Sequence, residues 1–142
     1  MDQRISFLTL AVRDLEVSRR FYVDGLGWTP DLEVAGDVIM LVAGERLVLS
    51  LWDREHFQAE VGTIAPGLAE GDGVPPFTIS HNVATEAEVD AILATARAAG
   101  ADPVHEATQR EWGGYTGYFA DPDGYRWEIA TNPGPIGQKV LP

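Results

Sequence analysis

The sequence predicts an α+β fold made of two tandem βαβββ modules in a single domain spanning residues 1–142. The order strand, helix, strand, strand, strand can be read twice along the chain. The two helix-start signals, Asp14 and Thr85, stand 71 residues apart in a chain of 142 residues, which points to duplication of one unit. The chain is also 45% hydrophobic and 23% charged, an ordinary globular balance that supplies a core.

The elements follow in order. Ile5–Val12 is short, β-branched and apolar, and reads as a strand. Asp14 suits a helix N-cap because its carboxylate can accept from the free amides of the first turn. Leu15, Ser18 and Tyr22, with Val17 and Phe21, fall at helical spacing, and Gly25-Leu26-Gly27 ends the helix. Trp28-Thr29-Pro30 turns the chain. Val34–Asp37 marks a hairpin before the strand Val38–Val42, and Ala43-Gly44-Glu45 turns into the strand Leu47–Trp52. The first module therefore spans 5–53.

Residues 54–76, rich in glycine and proline towards their end, read as a long linker loop. Phe77–Val83 opens the second module, 77–132, as a strand. Thr85 and Glu88 form a capping box, and Val89, Ile92, Leu93 and Ala96 make the apolar stripe of an amphipathic helix ended by Gly100. Strands follow around Val104-His105, over Tyr115–Ala120 and over Tyr125–Ala130, the last two joined by the turn Asp121-Pro122-Asp123-Gly124. Residues 133–142 read as a surface tail.

Composition limits the chemistry. Twenty-two acidic residues against 10 basic give a net charge of −12, a field that repels nucleic acid and anionic membranes. There is no cysteine, so disulfides, thiol nucleophiles and Cys-ligated metals are excluded. No segment is long and apolar enough for a membrane span, and no export signal is visible, so a cytoplasmic location is expected.

Candidate reactive groups are few. His56 falls in the linker and reads as a solvated residue. Strand alternation puts His81 on the apolar face with Phe77, Ile79 and Val83, as a core histidine. His105 reads as an edge or surface residue, and Gly71-x-Gly73 lacks the flanking strand and helix of a phosphate loop. Glu128 stands out because it sits between Trp127 and Ile129 in an apolar strand, where a carboxylate needs a partner or a cavity. Two readings stay open for it: a pair with Arg126 on a solvated face, or a pocket carboxylate serving as base, metal ligand or cation anchor. Trp112-Gly113-Gly114-Tyr115 and Tyr118-Phe119 read either as core aromatics or as a stacking wall for a planar ligand.

Val12-Arg13-Asp14-Leu15-Glu16-x-Ser18-x-x-Phe21-Tyr22-x-x-Gly25-Leu26-Gly27-Trp28 resembles the opening of the vicinal oxygen chelate superfamily of glyoxalase I, bleomycin-resistance proteins and extradiol dioxygenases. Gly114-Tyr115-x-Gly117-Tyr118-Phe119-x-Asp121-Pro122-Asp123-Gly124-x-x-Trp127-Glu128 resembles its closing motif. The resemblance implies two βαβββ modules forming a curved mixed sheet around a pocket, usually in a homodimer. Its catalytic members hold one divalent metal through four positions, which fall here on Phe7, Leu49 or Ser50, Thr78 and Glu128. Only Glu128 is a good ligand for such a metal, so no metal or other cofactor is expected. The chain thus resembles most the metal-free, bleomycin-resistance-like members, acidic dimers that sequester a cationic, partly aromatic drug. On that reading Phe7, Thr9, Leu49, Trp52, Thr78, Trp112, Tyr115, Tyr118 and Glu128 line a small-molecule site, with no nucleic-acid or membrane partner. The alternative is a lyase, isomerase or dioxygenase of the same superfamily, with Glu128 as catalytic base or as part of a metal site that includes His81. A third reading is an interaction module without a cavity.

Overall fold

The computed structural model describes residues 5–62 and 78–141. The chain divides into two compact units, Met1–Gly71 and Asp72–Pro142. In the first unit, β1 (Phe7–Val12), β2 (Leu32–Val34), β3 (Val38–Val42) and β4 (Val48–Asp53) form a four-stranded sheet in the order β1-β4-β3-β2. β1 runs parallel to β4, and the other pairs are antiparallel. In the second unit, β5 (Thr78–Asn82), β6 (Val104–Gln109), β7 (Tyr115–Ala120) and β8 (Arg126–Thr131) repeat that arrangement as β5-β8-β7-β6. The fold class is therefore α+β, with mixed sheets and a helix following the first strand of each unit.

The helix caps hold as the sequence predicts. The Asp14 carboxylate accepts from the amides of Glu16 and Val17 at 2.9 and 3.0 Å and starts α1 (Leu15–Arg19). Thr85 and Glu88 form the reciprocal capping box of α3 (Glu86–Ala98), whose Val89, Leu93 and Ala96 are buried. α1 is shorter than its apolar spacing suggests. It passes into a wider π-helical segment over Arg20–Gly25, in which the Leu26 amide donates to the Phe21 carbonyl five residues back at 2.9 Å. The neighbouring Phe21 and Tyr22 are both buried there, and Gly27, at φ +76°, turns the chain away.

Two further elements depart from the sequence reading. Arg54–Val61, read as linker, is a helix (α2) whose N-cap Asp53 accepts from the amides of Glu55 and His56. None of its residues is fully buried, and Phe57 and Val61 are its only large apolar side chains, too few for hydrophobic periodicity to announce it. The rest of that linker, including Gly71 and Gly73, and Phe77 lie outside the described residues. Pro135–Gln138 forms a short helix, α4, within the tail. His81 is exposed rather than in the core, because α3 packs over β6, β7 and β8 and leaves the edge strand β5 uncovered.

A bulge in β6 lies opposite Gly117. The register runs His105↔Tyr118 and then Thr108↔Thr116, so one strand carries an extra residue there. The space above Gly117 is full: an added Cβ would stand 2.4 Å from Leu93 Cδ1 and 3.0 Å from the Ala107 nitrogen and the His105 carbonyl oxygen. A glycine at this position lets the bulge and the helix approach the strand together.

Candidate functional site

Glu128 occupies the middle of an ordered polar array on one face of the second sheet. Pairing places Ser80 and Tyr118 directly beside it on the two neighbouring strands. The Ser80 hydroxyl donates to Oε2 at 2.7 Å, and the Tyr118 hydroxyl donates to Oε1 at 2.7 Å. Burial first, and the bond to Glu128 second, hold the Tyr118 phenol above its ordinary pKa, so it stays protonated at neutral pH and remains a donor. The Arg110 guanidinium lies 5.8 Å from the centre of the Tyr118 ring and donates to the Thr116 carbonyl. Each oxygen of Glu128 thus has a neutral hydroxyl partner and keeps further acceptor capacity. Ser80 and Tyr118, rather than Arg126, hold it.

The residues predicted to share the site separate by face. Thr78 lies on the Glu128 face, one rank along from Ser80. Tyr115 is three positions from Tyr118, so the pleat turns it to the opposite face, where its hydroxyl donates to Asp90 of α3 at 3.0 Å. That bond, more than burial, raises the pKa of the Tyr115 phenol. Trp112 is 54% exposed and its ring folds over Gly114, where an added Cβ would meet it at 1.9 Å. The space above Gly114 is thus filled by the tryptophan itself, whereas Gly113 faces Pro133.

In the first unit, Phe7, Thr9 and Trp52 share one face of the β1–β4 pair, and Phe7 is 53% exposed. Leu49 does not share that face. It is 2% exposed, on the opposite face with Leu10, Leu41 and Leu51. The register instead makes Ser50 the counterpart of Glu128, since Thr9 pairs with Ser50 as Ser80 pairs with Glu128. Of the Leu49/Ser50 alternative, Ser50 is the one on the face that corresponds to Glu128 in the second unit.

A second cluster was not visible in the sequence. Asp37 Oδ1 accepts from Trp52 Nε1 at 3.0 Å and lies 2.8 Å from His56 Nδ1. Trp52 also meets Phe57 edge-on, with ring centroids 5.9 Å apart, so these contacts tie α2 to the sheet. The hydrogen bond from His56, then that from Trp52, holds the Asp37 carboxyl below its ordinary pKa. A lowered carboxyl pKa stabilises the fold above the unfolded value of about 3.9, and that contribution is lost as pH falls further. The melting-temperature difference between wild type and Asp37→Asn should therefore be full at pH 6 and shrink below about pH 4. A difference that stays constant from pH 6 to pH 3 would refute this account of Asp37.

Two βαβββ units in tandem, each with a four-stranded mixed sheet, define the class of fold to which the chain belongs. Residues 4–129 match the model of the Glyoxalase/Bleomycin resistance protein/Dioxygenase superfamily, and the chain belongs to that superfamily. It is similar to a glyoxalase-related enzyme from Fulvimarina pelagi, with 35% identity, 92% of this chain and 89% of that one covered, and a TM-score of 0.81. It is also similar to a glyoxalase/bleomycin resistance protein/dioxygenase from Nocardioides, at 26% identity over 94% of this chain and 89% of that one, with a TM-score of 0.74. A lactoylglutathione lyase from Agrobacterium tumefaciens shares the fold at 23% identity, over 93% of this chain and 96% of that one, with a TM-score of 0.69. No curated protein matches the chain.

The metal of the superfamily's catalytic members does not fit the side chains present. The four positions that the resemblance assigns to it carry a phenyl ring at Phe7, a hydroxyl at Ser50 or an isobutyl group at Leu49, a hydroxyl at Thr78, and one carboxylate at Glu128 whose oxygens already accept from Ser80 and Tyr118. That set lacks the imidazole and carboxylate donors that such metals take. Among the described residues, no group of three or more histidine or acidic side chains could hold a metal ion. No helix among them is long and apolar enough to cross a membrane.

Proposed function

We propose that this protein binds a small molecule without a metal and holds it through a cationic or hydrogen-bond-donating group at Glu128. The observation that carries the reading is the Glu128 carboxylate itself, partly exposed on a sheet face and oriented by hydroxyls at 2.7 Å on both sides. Two neutral donors fix its geometry and leave its charge uncompensated. A cation approaching it gains a charge-assisted bond without displacing a competing ion pair. The net charge of −12 favours the same sign of ligand. Sequestration of an aromatic, cationic natural product, and hence resistance to it, is the role that matches this chemistry. The reading includes a homodimer in the cytoplasm, with no nucleic-acid or membrane partner.

A second reading has support from the description of the Fulvimarina pelagi relative as an enzyme. There Glu128 would act as the general base of a lyase, isomerase or dioxygenase, taking a proton from a carbon acid.

A thermal-shift series with aromatic amines, run in excess chelator, tests the first reading. A ligand selective for the folded state raises the melting temperature. Benzylamine and larger aromatic amines should raise it clearly more than the matching neutral alcohols do, since a charged donor gains more at a carboxylate than a neutral one. Equal shifts from amines and alcohols would remove the cation anchor from the proposal.

A further inference from the structure

The Glu128 face carries a second feature that its hydroxyl partners do not explain. Three ranks of side chains lie across β5, β8 and β7: Thr78–Arg126–Ala120, Ser80–Glu128–Tyr118 and Asn82–Ala130–Thr116. The middle rank is fully bonded. The outer two each contain an orphan: Nη1 of Arg126 and Oγ1 of Thr116 are buried with no hydrogen-bond partner. Buried polar atoms are almost always satisfied, and a guanidinium N–H left alone is among the costliest exceptions. Ala120 and Thr78, the side chains beside Arg126, include no carboxylate to pair with it.

We infer that Arg126 is an anion subsite, and that the ligand of this face carries an acid group as well as the donor group bound at Glu128. This inference rests on the reading of Glu128 as a ligand anchor. Arg126 and Glu128 are two residues apart on one strand face, which separates their backbone positions by about 6.6 Å. A small carboxylic acid bearing an amine or hydroxyl at a comparable distance would meet both at once. The guanidinium fork would take the carboxylate, the geometry it matches best, and Glu128 would take the donor. Arg126 as a whole is partly exposed, so turning its guanidinium presents the orphan nitrogen to an arriving acid. The ligand class is thereby narrowed from any molecule with a cationic or hydrogen-bond-donating group to one that also carries an acid, a zwitterion or a hydroxy acid, and Arg126 becomes the residue that selects it.

The test uses 4-(aminomethyl)benzoate, benzylamine and benzoate as probes, titrated into the full-length protein. Wild type should bind the amino acid about tenfold more tightly than benzylamine, the worth of one charge-assisted contact. Arg126→Gln should erase that preference, with benzylamine binding as tight as in wild type or tighter, because a neighbouring positive charge is gone. A preference that survives Arg126→Gln overturns the subsite, and so does a wild type with no preference, including one that binds neither probe. The failure of the underlying reading looks different, since benzylamine would then bind Glu128→Gln as well as it binds wild type. Arg126→Met gives a second line of evidence. Removing a guanidinium whose Nη1 is buried without a partner should leave the melting temperature equal or higher. A clear fall in both Arg126 variants would show that the guanidinium serves the fold, and would overturn the proposal.

Discussion

Replacing Glu128 with glutamine should weaken binding of an aromatic amine by at least about tenfold, because a charge-assisted bond becomes a neutral one. The melting temperature of the unliganded protein should change little. Glutamine keeps the shape of the side chain, and its amide can accept from one of the hydroxyls of Ser80 and Tyr118 while donating to the other. Stability and binding are therefore expected to separate in this variant. Tyr118→Phe provides the graded case, since it removes one orienting donor and leaves the charge. Its affinity should fall between those of wild type and Glu128→Gln. Calorimetric titration of the three proteins with benzylamine checks the order, and equal affinities would show that the amine binds elsewhere.

The largest effects on stability are expected where Gly117 meets Leu93. Gly117→Ala pushes a methyl group to 2.4 Å from Leu93 Cδ1 and to 3.0 Å from two backbone atoms of the β6 bulge. Overpacking of this kind costs roughly 1–3 kcal/mol. Leu93→Ala removes the obstructing group but empties a site that is only 1% exposed, at a cost of roughly 2–5 kcal/mol. The two changes share one volume, so the double variant should be more stable than the sum of the single losses predicts. Denaturant melts of the four proteins measure the coupling. Strict additivity would mean that helix and strand do not meet at Gly117 as described.

The fold was largely legible because its punctuation is local. Asp14, Thr85 with Glu88, and Gly27 each act through the backbone of their own turn, and each does in the structure what its residue type suggests. α2 was not legible, since eight residues of which none is fully buried leave no periodic trace. The π-helical segment was hidden for a related reason: the spacing of Phe21 and Tyr22 fits an ordinary helix, and only the bond from Leu26 to Phe21 reveals the wider turn. Glu128 could be singled out because a carboxylate is out of place in an apolar strand. Its partners depended on inter-strand register, which a single sequence does not contain.

Some of the separation among the predicted site residues was available from alternation alone. Tyr115 and Tyr118, like Leu49 and Trp52, are three positions apart within one strand and so face opposite sides. Grouping them by proximity in sequence ignored the pleat. The link between Asp37 and His56 could not be anticipated, because it joins a turn to a helix that periodicity does not show.

The central claim is that Glu128 holds a ligand without help from a metal. The most direct measurement combines elemental analysis of the purified protein with titration of benzylamine before and after exhaustive chelation. Substoichiometric nickel, zinc, iron and manganese are expected, with one affinity that chelation leaves unchanged. A stoichiometric metal, with binding lost on chelation and restored when that metal is returned, would contradict it.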